Sequence, residues 1–81
     1  MPTVLRVGPY LFYFYSHELG EPPHIHVDRE NKSAKFWLRP LALARNHGFR
    51  PAEISKLRKI VLNNRAHLLS SWRDYFDRHG K

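Results

Sequence analysis

The sequence predicts a small α+β domain: a four-stranded, mainly antiparallel sheet packed against a long C-terminal helix. Three observations carry that expectation. His24-Ile25-His26-Val27-Asp28-Arg29 alternates residue by residue, the period-two pattern of a half-buried strand. Ile54, Leu57, Val61, Leu68, Trp72 and Tyr75 recur at three, four or seven residues, which is one face of a helix. The chain has 81 residues with no internal repeat or linker composition, so residues 1–81 are expected to form a single domain.

Taken in order, Thr3–Val7 reads as a first strand and Gly8-Pro9 as a turn. Tyr10–Tyr15 reads as a second strand, rich in the aromatics that strands favour and apolar on both faces, which places it inside the sheet. Ser16–Pro23 is a polar loop. Pro22 and Pro23 stiffen the approach to the third strand, His24–Arg29, because proline fixes φ and biases the preceding residue toward extended geometry. Glu30-Asn31 suits a two-residue turn, with Asn31 tolerating positive φ. Ser33–Leu38 is the fourth strand, ended by Pro40.

A turn at Glu30-Asn31 sets the register: Arg29 opposite Lys32, Val27 opposite Ala34, His26 opposite Lys35, Ile25 opposite Phe36, His24 opposite Trp37. Ile25, Val27, Ala34, Phe36 and Leu38 then share an apolar face for a helix. His24, His26, Asp28, Lys35, Trp37 and Arg39 share the other. Leu41–Asn46 reads as a short helix stopped by Gly48. Pro51 opens the long helix, with Glu53 in its first turn. Asn63-Asn64 marks a place where that helix kinks or breaks. Arg58 and Arg65 fall at the edge of the apolar stripe; Lys56, Lys59, Asn63 and His67 fall on the outer face.

Composition narrows the chemistry. There is no cysteine, which excludes disulfides, thiolate zinc fingers and thiol catalysis and fits a cytoplasmic setting. No apolar run reaches membrane-spanning length, and Met1-Pro2-Thr3 does not open a signal peptide. The net charge is +7, and it is unevenly placed: ten Lys or Arg but a single acid, Glu53, lie between Asn31 and Arg73. Such a chain favours a polyanionic partner, RNA before DNA, or an acidic small protein.

His24 and His26 are the local arrangement best suited to chemistry. Histidine titrates near neutrality, so one imidazole can take a proton while the other gives one, and Lys35 can stabilise charge on a phosphate. A metal would need further ligands, from Asp28, His17 or Glu21, and the histidine pair alone does not make a site. No metal or cofactor is assigned. A structural role, hydrogen-bonded in the sheet or stacked on Trp37, is the third reading. The Tyr10–Tyr15 run is read as core rather than as a base-stacking platform.

Pro23-His24-Ile25-His26-Val27, Ala34-Lys35-Phe36-Trp37-Leu38 and Leu68-Leu69-Ser70-Ser71-Trp72 resemble the prokaryotic domain-of-unknown-function family numbered four-one-six-zero. The opening through Tyr15 and Gly48-Phe49-Arg50-Pro51-Ala52-Glu53 are similar to it as well. The resemblance implies a small cytoplasmic bacterial protein, often encoded beside another small protein, an arrangement that has suggested toxin–antitoxin pairs. It implies no established activity and no catalytic residues. Arg50 departs from the small capping residue expected there. The combined reading is the toxin-like component of a two-component module acting on or binding RNA. As an enzyme it would be a metal-independent ribonuclease using His24, His26 and Lys35. As a non-enzymatic module it would bind nucleic acid or a partner protein through Trp37, Arg39, Lys56, Arg58, Lys59 and Arg65.

Overall fold

A computed structural model describes residues 3–15 and 20–79, with the side chains of residues 77–79 excluded. Five strands, β1 (Thr3–Val7), β2 (Tyr10–Tyr13), β3 (His24–Arg29), β4 (Lys32–Leu38) and β5 (Leu41–His47), precede two helices, α1 (Pro51–Asn63) and α2 (Arg65–His79). The strands form one sheet in the order β1-β2-β3-β4-β5, antiparallel throughout. The fold is therefore α+β, with one strand more than expected and with two helices in place of one.

The central hairpin keeps the register that its turn implies, from Arg29 opposite Lys32 to His24 opposite Trp37. The turn differs in one detail: Glu30, not Asn31, takes the positive φ, at 56°. Both ladders at the sheet margins contain a register shift. Val4 is the extra residue between Thr3 and Leu5, and Ala44 is the extra residue opposite the Lys35-Phe36 step. The carbonyl oxygen freed at Val4 accepts a hydrogen bond from His67 Nε2 of α2 at 3.0 Å.

The extra strand, β5, is the segment read from sequence as a short helix. Leu-Ala-Leu-Ala-Arg has good helix formers, yet propensity is a weak prior. Here Leu41 pairs with Leu38 and Leu43 with Phe36, so two leucines spaced by two are set against the core. Burying them on the sheet outweighs the tenths of a kcal/mol at stake in propensity. Gly48, expected to cap a helix, instead turns the chain out of β5 at φ 103°. Asn46 brackets this turn: its Nδ2 donates to the Phe49 carbonyl and its Oδ1 accepts from the Phe49 N–H. The second strand is also shorter than expected, ending at Tyr13.

One face of the sheet makes the core. Tyr10, Phe12, Phe14, Ile25, Val27, Ala34, Phe36 and Leu38 pack against Ile54, Leu57 and Val61 of α1 and Leu68, Leu69, Trp72 and Phe76 of α2. Helix α1 starts at Pro51 without a side-chain cap from Arg50, as the departure at that position implied. It ends at Asn64, whose side-chain amide donates to the Ile60 carbonyl at 2.8 Å. The Asn64 carbonyl then accepts from Leu68 N–H, which opens the first turn of α2. Arg65 Nε at that corner donates to the carbonyl of Leu38 at 2.6 Å, tying α2 to the end of β4.

Glu53 ties the other end. Its Oε2 accepts from Tyr10 Oη at 2.8 Å and from Arg29 Nη1 at 2.6 Å, and Lys32 Nζ lies 3.9 Å from Oε1. The Tyr10 hydroxyl and the Arg29 guanidinium hold the Glu53 carboxyl below the usual carboxylate range. Burial, with Glu53 adding to it, raises the Tyr10 phenol above its own.

Two measurements check this account. Leu57→Ala should cost about 2–5 kcal/mol in urea unfolding, because Leu57 is fully enclosed, while Leu62→Ala at an exposed position should stay within about 0.5 kcal/mol. Glu53→Gln should lower the melting temperature in a pH-dependent way. A depressed folded-state pKa contributes stability above the unfolded value, so the wild-type advantage should be full above about pH 5 and shrink as pH falls below about 4.

Candidate nucleic-acid interface

Helices α1 and α2 pack on the first face of the sheet, and on the second face Trp72 of α2 reaches His24 at one margin. Alternation sends Tyr13 to this side while Phe12 and Phe14 enter the core, and Tyr15 follows Tyr13. Register then aligns Tyr13, His26, Lys35 and Arg45 in one row across four strands. A neighbouring row runs Arg6, Leu11, Asp28, Ser33 and His47 across all five. His24, Trp37 and Ala42 make a third. Aromatic and cationic side chains thus share a single surface.

His24 is fully buried, set in this third row. Its ring centroid lies 5.1 Å from His26, 5.7 Å from Trp37 and 4.7 Å from Trp72 of α2, which also touches Phe14 of the core at 5.3 Å. Nδ1 lies 2.9 Å from the Pro22 carbonyl, and a carbonyl only accepts, so Nδ1 carries a hydrogen. The carbonyl of Pro23 accepts from Leu38 N–H, extending the ladder one step past the strand. The two prolines therefore anchor the histidine and the strand start through their oxygens. Such enclosure suits His24 to holding the sheet and orienting its neighbour rather than to touching a phosphodiester.

His26 is only half-buried. Tyr13 stacks on its ring at 5.3 Å, nearly parallel, and Tyr15 meets it edge-on at 5.0 Å. The Tyr13 hydroxyl donates to Asp28 Oδ1 at 2.9 Å. Burial, together with hydrogen bonding to Tyr15 and Asp28, pushes the Tyr13 phenol well above the usual tyrosine range, so it stays protonated. Lys35 is buried; its Nζ donates to Glu21 Oε1 at 2.7 Å and lies 4.5 Å from the centre of the Trp37 indole. The same Glu21 oxygen is 3.9 Å from His24 Nδ1.

The residues singled out from sequence divide between two surfaces. His26, Lys35 and Trp37 belong to the second face of the sheet, and Arg39 is exposed in the turn after β4. Lys56, Arg58 and Lys59 are exposed on α1, which covers the opposite face, and Lys56 also lies over the Tyr10 ring at 5.7 Å. Arg65 belongs to neither, being half-buried on the Leu38 carbonyl. The possible ligand His17 lies outside the described residues. Among the described residues no three His, Asp or Glu side chains gather to hold a metal ion, and no helix is long and apolar enough to cross a membrane.

Tyr13 is buried, as the core reading of the Tyr10–Tyr15 run expects, and Tyr15 is half-buried. Arg45 and Glu21 are the participants that the sequence reading did not place beside Lys35. Arg45 was hidden by its assignment to a helix. Nothing local in sequence marks Glu21 as the partner of Lys35.

Comparison with known families matches residues 10–73 to a domain of unknown function (DUF4160). The chain belongs to this family. The match takes in β2 through the first half of α2, and so every row of the open face except the β1 contribution. No curated protein and no solved structure matches the chain.

The two histidines should separate in stability. His24→Ala should cost about 2–4 kcal/mol, since it empties a fully enclosed site between two tryptophans, whereas His26→Ala should cost about 1 kcal/mol. Chemical denaturation of both variants checks the ranking.

Proposed function

We propose that this domain binds single-stranded RNA across its open sheet face, as the toxin-like component of a bacterial two-component module. The observation that carries the reading is one sheet surface on which the half-buried rings of His26 and Trp37 stand beside the exposed Arg45, around the buried Tyr13 and Lys35. Single-stranded nucleic acid is held by aromatic rings that stack on bases and cations that meet the backbone, and a sheet face presenting both is a recurrent solution. The charge balance supports it: the one acid between Asn31 and Arg73, Glu53, is engaged by Arg29 and Tyr10 on the helix side, away from this face.

Cleavage is a further step that the same face supports through one histidine. His26 is half-buried beside Lys35, so it is the group placed to exchange a proton with a bound phosphodiester, with the lysine cation near the charge that develops. A separate observation favours a partner protein as well. Lys56, Arg58 and Lys59 form an exposed basic surface on α1, apart from the sheet row, which suits the acidic second component of such a module.

Binding of a short fluorescent oligo-uridine RNA at several salt concentrations tests the reading. Affinity should be salt-sensitive. Arg45→Ala and Trp37→Ala should each weaken it, by about fivefold or more, while joint neutralisation of Lys56, Arg58 and Lys59 changes it less. If affinity follows the helix substitutions and ignores the sheet ones, the open face is not the RNA site. Release of fragments by wild type but not by His26→Ala, unaffected by a chelator, would add the metal-independent ribonuclease step.

A further inference from the structure

The geometry points to a phosphate-binding site over Trp37, formed by Lys35 and Arg45, in which the carboxylate of Glu21 occupies the anion position until a phosphate displaces it. This inference rests on the sheet-face reading and names the place where a backbone phosphate of the RNA would sit.

Four observations converge. Lys35 is only 8% exposed, yet its ammonium is held at 2.7 Å by an oxygen of Glu21, whose side chain is 43% exposed. A nearly buried cation requires an anion, and here the anion comes from the solvent side, where a ligand can replace it. The Nζ also lies 4.5 Å over the Trp37 indole, which fixes where the charge points. Arg45 is the register neighbour of Lys35 on the same face, and it is exposed, with no ion pair among the described residues. One cation is thus satisfied by an internal carboxylate and its neighbour by none. A phosphate has more oxygens than a carboxylate and can bridge the two where Glu21 holds only the first.

The exchange makes a distinctive prediction about salt. In the wild type, a phosphate arriving at Lys35 displaces the Glu21 carboxylate but leaves its negative charge beside the site, where it offsets one cation. In Glu21→Gln that charge is gone, while the amide oxygen still accepts a hydrogen bond from Lys35. The substitution should therefore steepen the salt dependence as well as raise affinity. A carboxylate that merely positions Lys35 predicts unchanged or weaker phosphate binding in the variant.

The experiment has two arms. In the first, inorganic phosphate is titrated into full-length protein and followed by the NMR shift of the Trp37 indole N–H. Glu21→Gln should tighten phosphate about fivefold, and Arg45→Ala placed on top should cancel the gain. In the second, oligo-uridine RNA binding is measured against salt. Glu21→Gln should steepen the slope of log affinity against log salt by about 0.7. Unchanged or weakened phosphate binding in Glu21→Gln overturns the inference. Phosphate tightening without any RNA binding supports the anion site and removes the RNA reading. RNA binding that is indifferent to Glu21→Gln, in affinity and slope, leaves the RNA reading standing and overturns the displacement of Glu21.

Discussion

The pairing of His26 with Lys35 across the central hairpin is the constraint on which the rest depends. Strand side chains alternate with a period of two, so slipping this pair by one residue would turn both rows over together. Phe36 and Ile25 would face water, and the histidines and Lys35 would enter the core. The register is secured from both ends. The Glu30-Asn31 turn closes one end, and the Pro23 carbonyl bonded to Leu38 N–H closes the other. With those two points held, Ile25, Val27, Ala34, Phe36 and Leu38 face the helices, and His26, Lys35 and Trp37 face the other way.

The helices complete the separation by fastening to opposite ends of the sheet. At one end Glu53 of α1 meets Tyr10 and Arg29; at the other Arg65 of α2 meets the Leu38 carbonyl and His67 meets that of Val4. The charged residues spent on these fastenings are drawn from the same basic pool that makes the chain so positive. A count of Lys and Arg therefore overstates what is free for a partner. Arg29 and Arg65 serve the fold, and Arg39, Arg45, Lys56, Arg58 and Lys59 stay exposed.

Much of this was legible in the chain because it is written locally. The hairpin register, the buried partners of Ile25 and Phe36, the proline at the start of α1 and the weak cap at Arg50 all follow from residues near one another. The fifth strand was not legible, since Leu41–Arg45 is locally good helix and becomes strand only by pairing with β4. That one misassignment also hid Arg45, and with it the four-strand row. In the candidate site, the shared face of His24, His26 and Trp37 could be read from alternation. The enclosure of His24 could not, because Trp72 reaches it from nearly fifty residues away. The pairing of Glu21 with Lys35 is likewise a contact between a loop and a strand, for which period and propensity have no term.

The two register shifts lie in the two outer ladders, at Val4 and at Ala44, while both inner ladders run without interruption. An outermost strand carries a line of unpaired amide groups that can template the strand of another molecule, which is how sheets grow into aggregates. A bulge bends and twists that line so that it no longer offers a flat, regular partner. On one margin the carbonyl at the bulge is already taken by His67, and on the other the strand beyond the bulge bears Arg45 and His47. The sheet is thus closed at its sides to its own kind.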